Sequence, residues 1–289
     1  MAAGDLITMD YQYEWGQTLL FGDGTTIDVD EIDGLDDLPA IATSDTSRDA
    51  DWGSDAGNDM PRDRSVTISG EFVAGTDAEL AATLDALRDG FLGNDDVKAF
   101  VWRHPGEGKR LIWARCRRRS IPTTLRRALR FPVWGVQLVA VDPRIYSAVE
   151  YSVSTSRTTA GSGFTPPFTP PFTLGASTAG TVRVTNAGSV DAPWTGRLNG
   201  PLTNPVITNR TTGERLAFTA NGGLVLGAGE YVAIDSAARS VLLAGTASRR
   251  SQLSLDSRWW SLPPGDTDIE LTADAGTGTL SVSSRSAWL

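Results

Sequence analysis

The sequence predicts a mainly β protein in two parts: an α+β N-terminal domain, with one helix packed on a β-sheet or split barrel, followed by a jelly-roll β-sandwich. Three observations predict this. One strongly helical segment, TDAELAATLDALRDGFLG, lies between strand-like segments in the first half. After Gly180 short strand-like runs recur between turn residues, with no helical period. Between these halves, residues 152–180 shift to Ser, Thr, Gly and Pro. The expected organisation is therefore residues 1–150 as the first domain, 151–180 as a linker or arm, and 181–289 as the sandwich.

Taken in order, RSVTISGEF alternates, with Val66, Ile68 and Phe72 on one face and Ser65, Thr67, Ser69 and Glu71 on the other, as a half-buried strand should. In the helix, Thr76 and Glu79 form a capping box, and Leu80, Leu84, Leu87 and Phe91 recur at helical spacing before Gly90 and Gly93. That stripe needs a sheet to cover. Strands are expected at Leu111 to Arg115 and at Phe131 to Val141, the second apolar on both faces and pairing late because of Pro132. Asp142-Pro143 then ends it, since proline lacks the N–H and disfavours helix in the residue before it.

FTPPFTPPF places Phe164, Phe168 and Phe172 at every fourth position between Pro-Pro pairs, which makes the segment extended and semi-rigid. It reads as a stiff spacer, or as an arm whose phenylalanines dock on a neighbouring domain or subunit. Beyond it, TVRVT, NPVIT, RLAF, LVLG, YVAID, SVLL, IELTA and LSVSS read as strands, separated by turns such as Asn221-Gly222-Gly223 and Pro263-Pro264-Gly265.

The net charge of −9 conceals an asymmetry. Residues 1–63 hold sixteen Asp or Glu and two Arg, whereas residues 103–130 hold ten Lys or Arg and one Glu. Two readings stand side by side: two solvated faces of opposite sign, or one surface shaped to meet the other on a neighbouring copy. Nucleic-acid binding by the arginines ranks lower, because the acidic total opposes phosphate binding at physiological salt.

Catalytic chemistry has little to stand on. The lone histidine, His104, sits in the turn-like HPGEGK, so neither a Ser-His-Asp nor a Cys-His site has a spare base. Abundant carboxylates leave a glycoside hydrolase as a third class of function, yet nothing selects a pair. DVDEIDGLDD fails as an EF-hand loop, since Val29, Glu31 and Ala40 stand where ligands are needed. Asn209-Arg210-Thr211 matches a glycosylation sequon, but MAAGDLITMDYQYEW lacks the basic-then-apolar pattern of a secretion signal. The single Cys116 excludes an internal disulfide or a Cys-based zinc site and reads as a buried strand residue made in a reducing cytoplasm. No catalytic, metal-ligating or cofactor-binding residue is predicted. Trp259-Trp260 beside the Pro-Pro-Gly turn could plug the core or offer a stacking platform for a sugar ring.

Together these segments resemble the distal tail proteins of long, non-contractile-tailed bacteriophages. The capped helix followed by strands ending in VAVDPRIYS is similar to the close of that family's N-terminal domain. The series NAGSVDAPWTGRLNGPLTNPVITNRTTGERLAF, GEYVAID, SRWWSLPPGDTDIEL and SSRSAW is similar to its galectin-like C-terminal domain. The resemblance implies that Asp142-Pro143 ends the last strand of a ring-forming domain and that Tyr146 anchors the exit. It implies a non-enzymatic hexameric ring at the tail tip of the virion, made in the host bacterial cytoplasm. The ring would join the tail-tube protein to the baseplate hub, with the tape-measure protein as a further neighbour, and DNA would pass its lumen without specific binding. No membrane partner is implied. The segments between C-terminal strands are too short for a carbohydrate-binding insertion, and the acidic stretch 22–63 is less readily matched to the family.

Charge and resemblance together nominate a ring contact. Arg115, Arg117, Arg118, Arg119, Arg126, Arg127 and Arg130 form one patch, and Asp28, Asp30, Glu31, Asp33, Asp36 and Asp37 the other. An alternative use of the acidic stretch is to line the channel and repel exiting DNA. The alternative function is a carbohydrate-binding module for host adhesion, with Trp259 and Trp260 as its platform.

Overall fold

The computed structural model describes residues 2–158 and 180–289. Phe164, Phe168 and Phe172 lie outside the described residues. The chain divides into two compact units, residues 1–148 with Trp288 and Leu289, and residues 149–287. Strands of three or more residues are numbered below in chain order. Among the described residues, no helix is long and apolar enough to cross a membrane.

The first unit is built on eight such strands: β1 Gln12–Trp15, β2 Leu19–Gly22, β3 Glu31–Asp33, β4 Arg64–Glu71, β5 Lys98–Arg103, β6 Arg110–Ser120, β7 Val133–Ala140 and β8 Ile145–Ser147. They run in the order β2-β1-β5-β6-β7-β4-β3, with β8 paired to the start of β6. All these pairs are antiparallel, and β6 is the hinge of the arrangement. Its first half pairs with β5 from Arg110↔Trp102 to Ala114↔Lys98, and its second half pairs with β7 from Arg115↔Val139 to Ser120↔Gly135. A strand of eleven residues that changes partners midway joins two curved sheets around one core. It runs well past the Leu111–Arg115 read from sequence.

Helix α1, Asp77–Gly90, supplies the lid. Its capping box is formed: the Glu79 N–H donates to Thr76 Oγ1 at 3.2 Å, and the Glu79 carboxylate accepts from the Thr76 and Gly75 N–H groups. Leu84 and Leu87 are buried against the sheet and Leu80 packs beside them. The Trp15 indole donates to the Gly90 carbonyl at 2.8 Å, which fastens the end of the helix to β1. Beneath it, Trp15, Phe91, Trp134, Phe21 and Phe100 form a chain of ring contacts with centroids 5.7 to 6.2 Å apart. Such pairs add to the area that aromatic side chains already bury.

Pairing of β7 begins at Val133↔Glu71, after Pro132, as the proline requires. The strand is not apolar and buried on both faces, however. Trp134, Val136, Leu138 and Ala140 face the core, while Val133, Gly135, Gln137 and Val139 are half-exposed, because the outward face of neighbouring β4 carries Ser65, Thr67 and Ser69. Cys116 is buried in β6.

The second unit holds β9 Tyr151–Ser156, β10 Thr181–Asn186, β11 Trp194–Asn199, β12 Val206–Asn209, β13 Arg215–Ala217, β14 Tyr231–Asp235, β15 Ser240–Leu243, β16 Gly265–Thr272 and β17 Thr279–Ser284. One sheet runs β9-β17-β11-β14-β15, continued by the short pair-mate Ala247–Ser248, and the other runs β10-β16-β12-β13. Each sheet buries one face: Leu198, Val232, Ile234, Leu280 and Val282 from the first, and Val184, Ile207, Leu216, Ile269 and Leu271 from the second. This is a β-sandwich. Residues 151–156, read from sequence as the start of a linker, are a strand pairing with all of β17 from Tyr151↔Ser284 to Ser156↔Thr279.

Because Leu84 is buried beneath the lid, Leu84→Ala is expected to cost about 2–5 kcal/mol in urea melts. A loss below about 0.5 kcal/mol would place that helix face in solvent.

Candidate functional site

The acidic stretch is an edge. The β3 segment pairs with β4 through Glu31↔Ser69, Ile32↔Ile68 and Asp33↔Thr67, and the Asp28 and Asp30 N–H groups donate to the Glu71 and Ser69 carbonyls. Val29, Ile32 and Leu35 turn inward, whereas Asp28, Asp30, Glu31, Asp33, Asp36 and Asp37 all reach solvent. They line an open cleft of about 750 Å³ that Tyr11, Tyr13 and His104 close on the other side. Burial, and then the charges of Tyr11 and Asp36, hold the Tyr13 phenol above its usual range. His104 Nε2 lies 3.3 Å from the Tyr13 hydroxyl, so the lone histidine serves packing at this wall. Charged residues on an edge strand discourage indiscriminate strand pairing.

What holds this edge is Arg64, a charged residue with 1% of its surface exposed. Its Nη1 donates to the carbonyls of Gly34 at 3.1 Å, Leu35 at 2.8 Å and Asp37 at 2.7 Å, and its Nε donates to Pro143 O at 2.9 Å. Burial lowers the guanidinium pKa, and the nearby charges of Asp36 and Asp37 oppose that shift. Arginine alone among the basic side chains keeps its proton under such desolvation and offers several donors in one plane.

The turn that Arg64 grips is the Asp142-Pro143 break. Asp142 Oδ1 accepts from the Arg144 N–H at 3.1 Å and Oδ2 from the Tyr146 hydroxyl at 2.6 Å, folding the chain from β7 into β8. Tyr146 is buried, not exposed, and pairs with Leu111 across β8 and β6.

The basic stretch owes its exposure to a bulge. A regular strand would send alternate residues of RCRRR inward, but the register shifts between Cys116↔Leu138 and Arg118↔Gln137, leaving Arg117 unpaired. Arg117, Arg118 and Arg119 are consequently all exposed in a row. The arginines are not equivalent. Arg119 donates to the carbonyls of Arg88 and Phe91 at the end of α1. Arg115 lies 3.8 Å from Asp95, Arg126 2.9 Å from Glu71, and Arg130 2.7 Å from Asp77. Of the seven, Arg117, Arg118, Arg119 and Arg127 make no ion pair among the described residues, and of these four Arg119 is committed to backbone carbonyls.

The sugar platform is corrected by burial. Trp260 is 5% exposed, its ring 5.1 Å from that of Trp194, whose indole donates to Trp260 O at 3.0 Å. Trp260 therefore plugs the sandwich, and half-buried Trp259 is left without a paired face.

Comparison with known proteins places these features in context. Residues 187–288 match the family described as "Siphovirus-type tail component, C-terminal domain". No curated protein sequence matches the chain. The crystal structure of the SPP1 Dit protein, described as a paradigm of the hub adsorption apparatus in Gram-positive infecting phages, is similar to it with a TM-score of 0.64 at 14% identity, over 96% of this chain and 99% of that one. The phage P2 baseplate in its activated conformation is similar with a TM-score of 0.51 at 8% identity, over 93% of this chain and 97% of that one. The chain thus shares the fold of the SPP1 Dit protein, and residues 187–288 carry the sequence pattern of the siphovirus-type tail component C-terminal domain.

Arg64→Met would leave four carbonyls without their donor, that of Leu35 buried, and is expected to cost roughly 3 kcal/mol or more in denaturant melts. A change within about 0.5 kcal/mol would show the acidic edge to be held by other means. Burial, and then the hydrogen bond to Asp142, raise the Tyr146 phenol above the ordinary tyrosine value of about 10. A raised pKa means tighter proton binding in the folded state. Its contribution is therefore complete below a pH of about 10 and is lost as pH climbs through the folded value. Stability should fall in strong alkali, and Tyr146→Phe should flatten that fall in part, leaving the share due to Tyr13. An unchanged alkaline slope in Tyr146→Phe would contradict this.

Proposed function

We propose that the chain is a structural component of the tail tip of a long, non-contractile-tailed bacteriophage, assembling as a hexameric ring adaptor between tail tube and baseplate hub. The match of residues 187–288 to a siphovirus-type tail component, together with the likeness of the whole chain to a hub protein, carries this reading. The protein then resides in the virion after synthesis in the host. Its immediate partners are its own copies, the tail-tube protein, the hub and the tape-measure protein, and DNA crosses the lumen without a specific site. The reading assigns it no catalysis. A glycan-binding role has lost its platform, since Trp260 lies inside the sandwich.

A closed ring requires a heterologous interface, one patch meeting a different patch on the next copy. The exposed acidic row of Asp28, Asp30, Glu31, Asp33, Asp36 and Asp37 and the unpaired Arg117, Arg118 and Arg127 satisfy that requirement within one chain. Exposed pairs of this kind are each worth about 1 kcal/mol or less, so their sum sets register and association rate more than total affinity. Reversing Arg117, Arg118 and Arg127 to Glu spares Arg119, which the fold needs. The triple variant should assemble poorly at low salt while melting like the wild type. Equal assembly at every ionic strength, read by native mass measurement, would remove these arginines from the interface.

A further inference from the structure

Two asparagines in the sequence are followed by glycine, Asn199 and Asn221. The pairing has chemical weight, because a glycine on the C-terminal side lets its backbone nitrogen reach the asparagine side chain with no Cβ in the way. Attack of that nitrogen on Cγ closes a five-membered succinimide and expels ammonia. The fold puts the two pairs in opposite circumstances.

Asn199 ends β11 and is paired on both sides, with Tyr231 and with Thr279. Its Oδ1 accepts from Arg197 Nε at 2.9 Å, and its Nδ2 lies 3.3 Å from Thr279 Oγ1, to which it donates. The Gly200 N–H, whose nitrogen would have to attack, donates to Glu230 O at 2.8 Å. Gly200 is crowded as well, since a Cβ there would lie 2.1 Å from Gly227 O. Nucleophile and target are both committed.

Asn221 lies at the tip of a tight turn. The Gly223 N–H donates to Ala220 O at 2.9 Å, and the central residues Asn221 and Gly222 have φ of +50° and +88°, the type I′ geometry that Asn-Gly suits. Both are exposed. The Gly222 N–H donates to no group among the described residues, and a Cβ at Gly222 would meet nothing within 4 Å. One exposed hydrogen bond holds the side chain, from Asn221 Nδ2 to Ser251 O at 2.7 Å. That bond ties the turn to the single-turn 3₁₀ helix Arg250–Gln252, alongside the Ala220 N–H to Gln252 O at 3.0 Å and Gln252 Nε2 to Gly223 O at 2.9 Å.

We propose that Asn221 is a site of spontaneous deamidation, and that its conversion frees the Arg250–Gln252 turn from the 220–223 turn. The Gly222 nitrogen gives its proton to solvent and bonds to Asn221 Cγ; the Cγ–Nδ2 bond breaks and ammonia leaves. Water then opens the succinimide at either carbonyl, so the net exchange is one water taken up for one ammonia lost. Opening at one carbonyl gives aspartate, whose carboxylate is an acceptor facing the Ser251 carbonyl, which is another. The tether becomes a repulsion. Opening at the other gives isoaspartate, which routes the backbone through the side-chain methylene. That lengthens a turn closed by three successive left-handed residues, Gly223 at φ +75° being the third, and draws Gly223 away from Ala220 O and from Gln252. The site is independent of the ring reading.

The test holds the wild-type protein in mildly alkaline buffer at physiological temperature and follows the peptides carrying Asn199 and Asn221 by mass. The Asn221 peptide should gain the difference between OH and NH₂, and part of the product should accept methyl groups from an isoaspartyl methyltransferase. Asn199 should convert more slowly by about tenfold or more, because its attacking nitrogen must first lose a hydrogen bond. In denaturant the two should convert at similar rates, since the fold alone separates them. Amide hydrogen exchange across Arg250–Leu253 should speed up by about fivefold in Asn221→Asp, the loss of one hydrogen bond. No mass gain at Asn221, or equal gain at both asparagines in the folded protein, would overturn the site. Exchange that keeps the wild-type rate in Asn221→Asp would overturn the release of the Arg250–Gln252 turn.

Discussion

Arg64 lies at the start of β4 with its guanidinium enclosed, donating to Gly34, Leu35 and Asp37 on one side and to Pro143 on the other. A buried charge is costly to leave unpartnered, and these carbonyls would be equally costly to leave unpaired. The residue therefore binds two loops that would otherwise have no reason to meet. One is the acidic edge, whose carboxylates reach solvent while the carbonyls of Gly34, Leu35 and Asp37 accept from Arg64. The other is the Asp142-Pro143 turn, which sends the chain through buried Tyr146 toward the second unit. The charge layout of the acidic side depends on this one side chain keeping its proton and its place.

The basic side depends on a backbone irregularity instead. The bulge at Arg117 converts a strand that would alternate into three successive outward arginines, and the end of α1 claims Arg119. Intramolecular pairs with Asp95, Glu71 and Asp77 claim three more of the cluster. The residue left over is small, about enough to set register but too little to supply strong affinity.

How much of this was legible in the sequence varies with how local the signal is. The capping box of Thr76 and Glu79 and the Leu84 and Leu87 stripe depend on residues a few positions apart, and they read directly. The β1 strand did not: Tyr13 and Trp15 face the core, but the run is only four residues long and its other face is buried through polar groups, Glu14 accepting from the Gly4 and Leu6 N–H groups and Gln12 from Thr8. The β11 strand was hidden by Gly196, where a Cβ would lie 2.8 Å from the Trp194 ring; the glycine is needed there and breaks the alternation. The charge clusters were visible as composition. Which arginines were already bound was not, since their partners come from α1, β4 and the loop before β5, up to 55 residues away in the chain. Trp259-Trp260 read as a core plug ahead of a sugar platform, and the ring of Trp194 against Trp260 decides for the plug at that residue.

The account stands on one claim above the others: that oppositely charged surfaces of a single chain meet on successive copies and close. Electron images of the purified full-length protein, taken over a range of concentration and salt, test that claim most directly. The account predicts closed particles with sixfold symmetry that disperse as salt rises. Particles that remain single subunits throughout, or that stop at a twofold dimer, would contradict it.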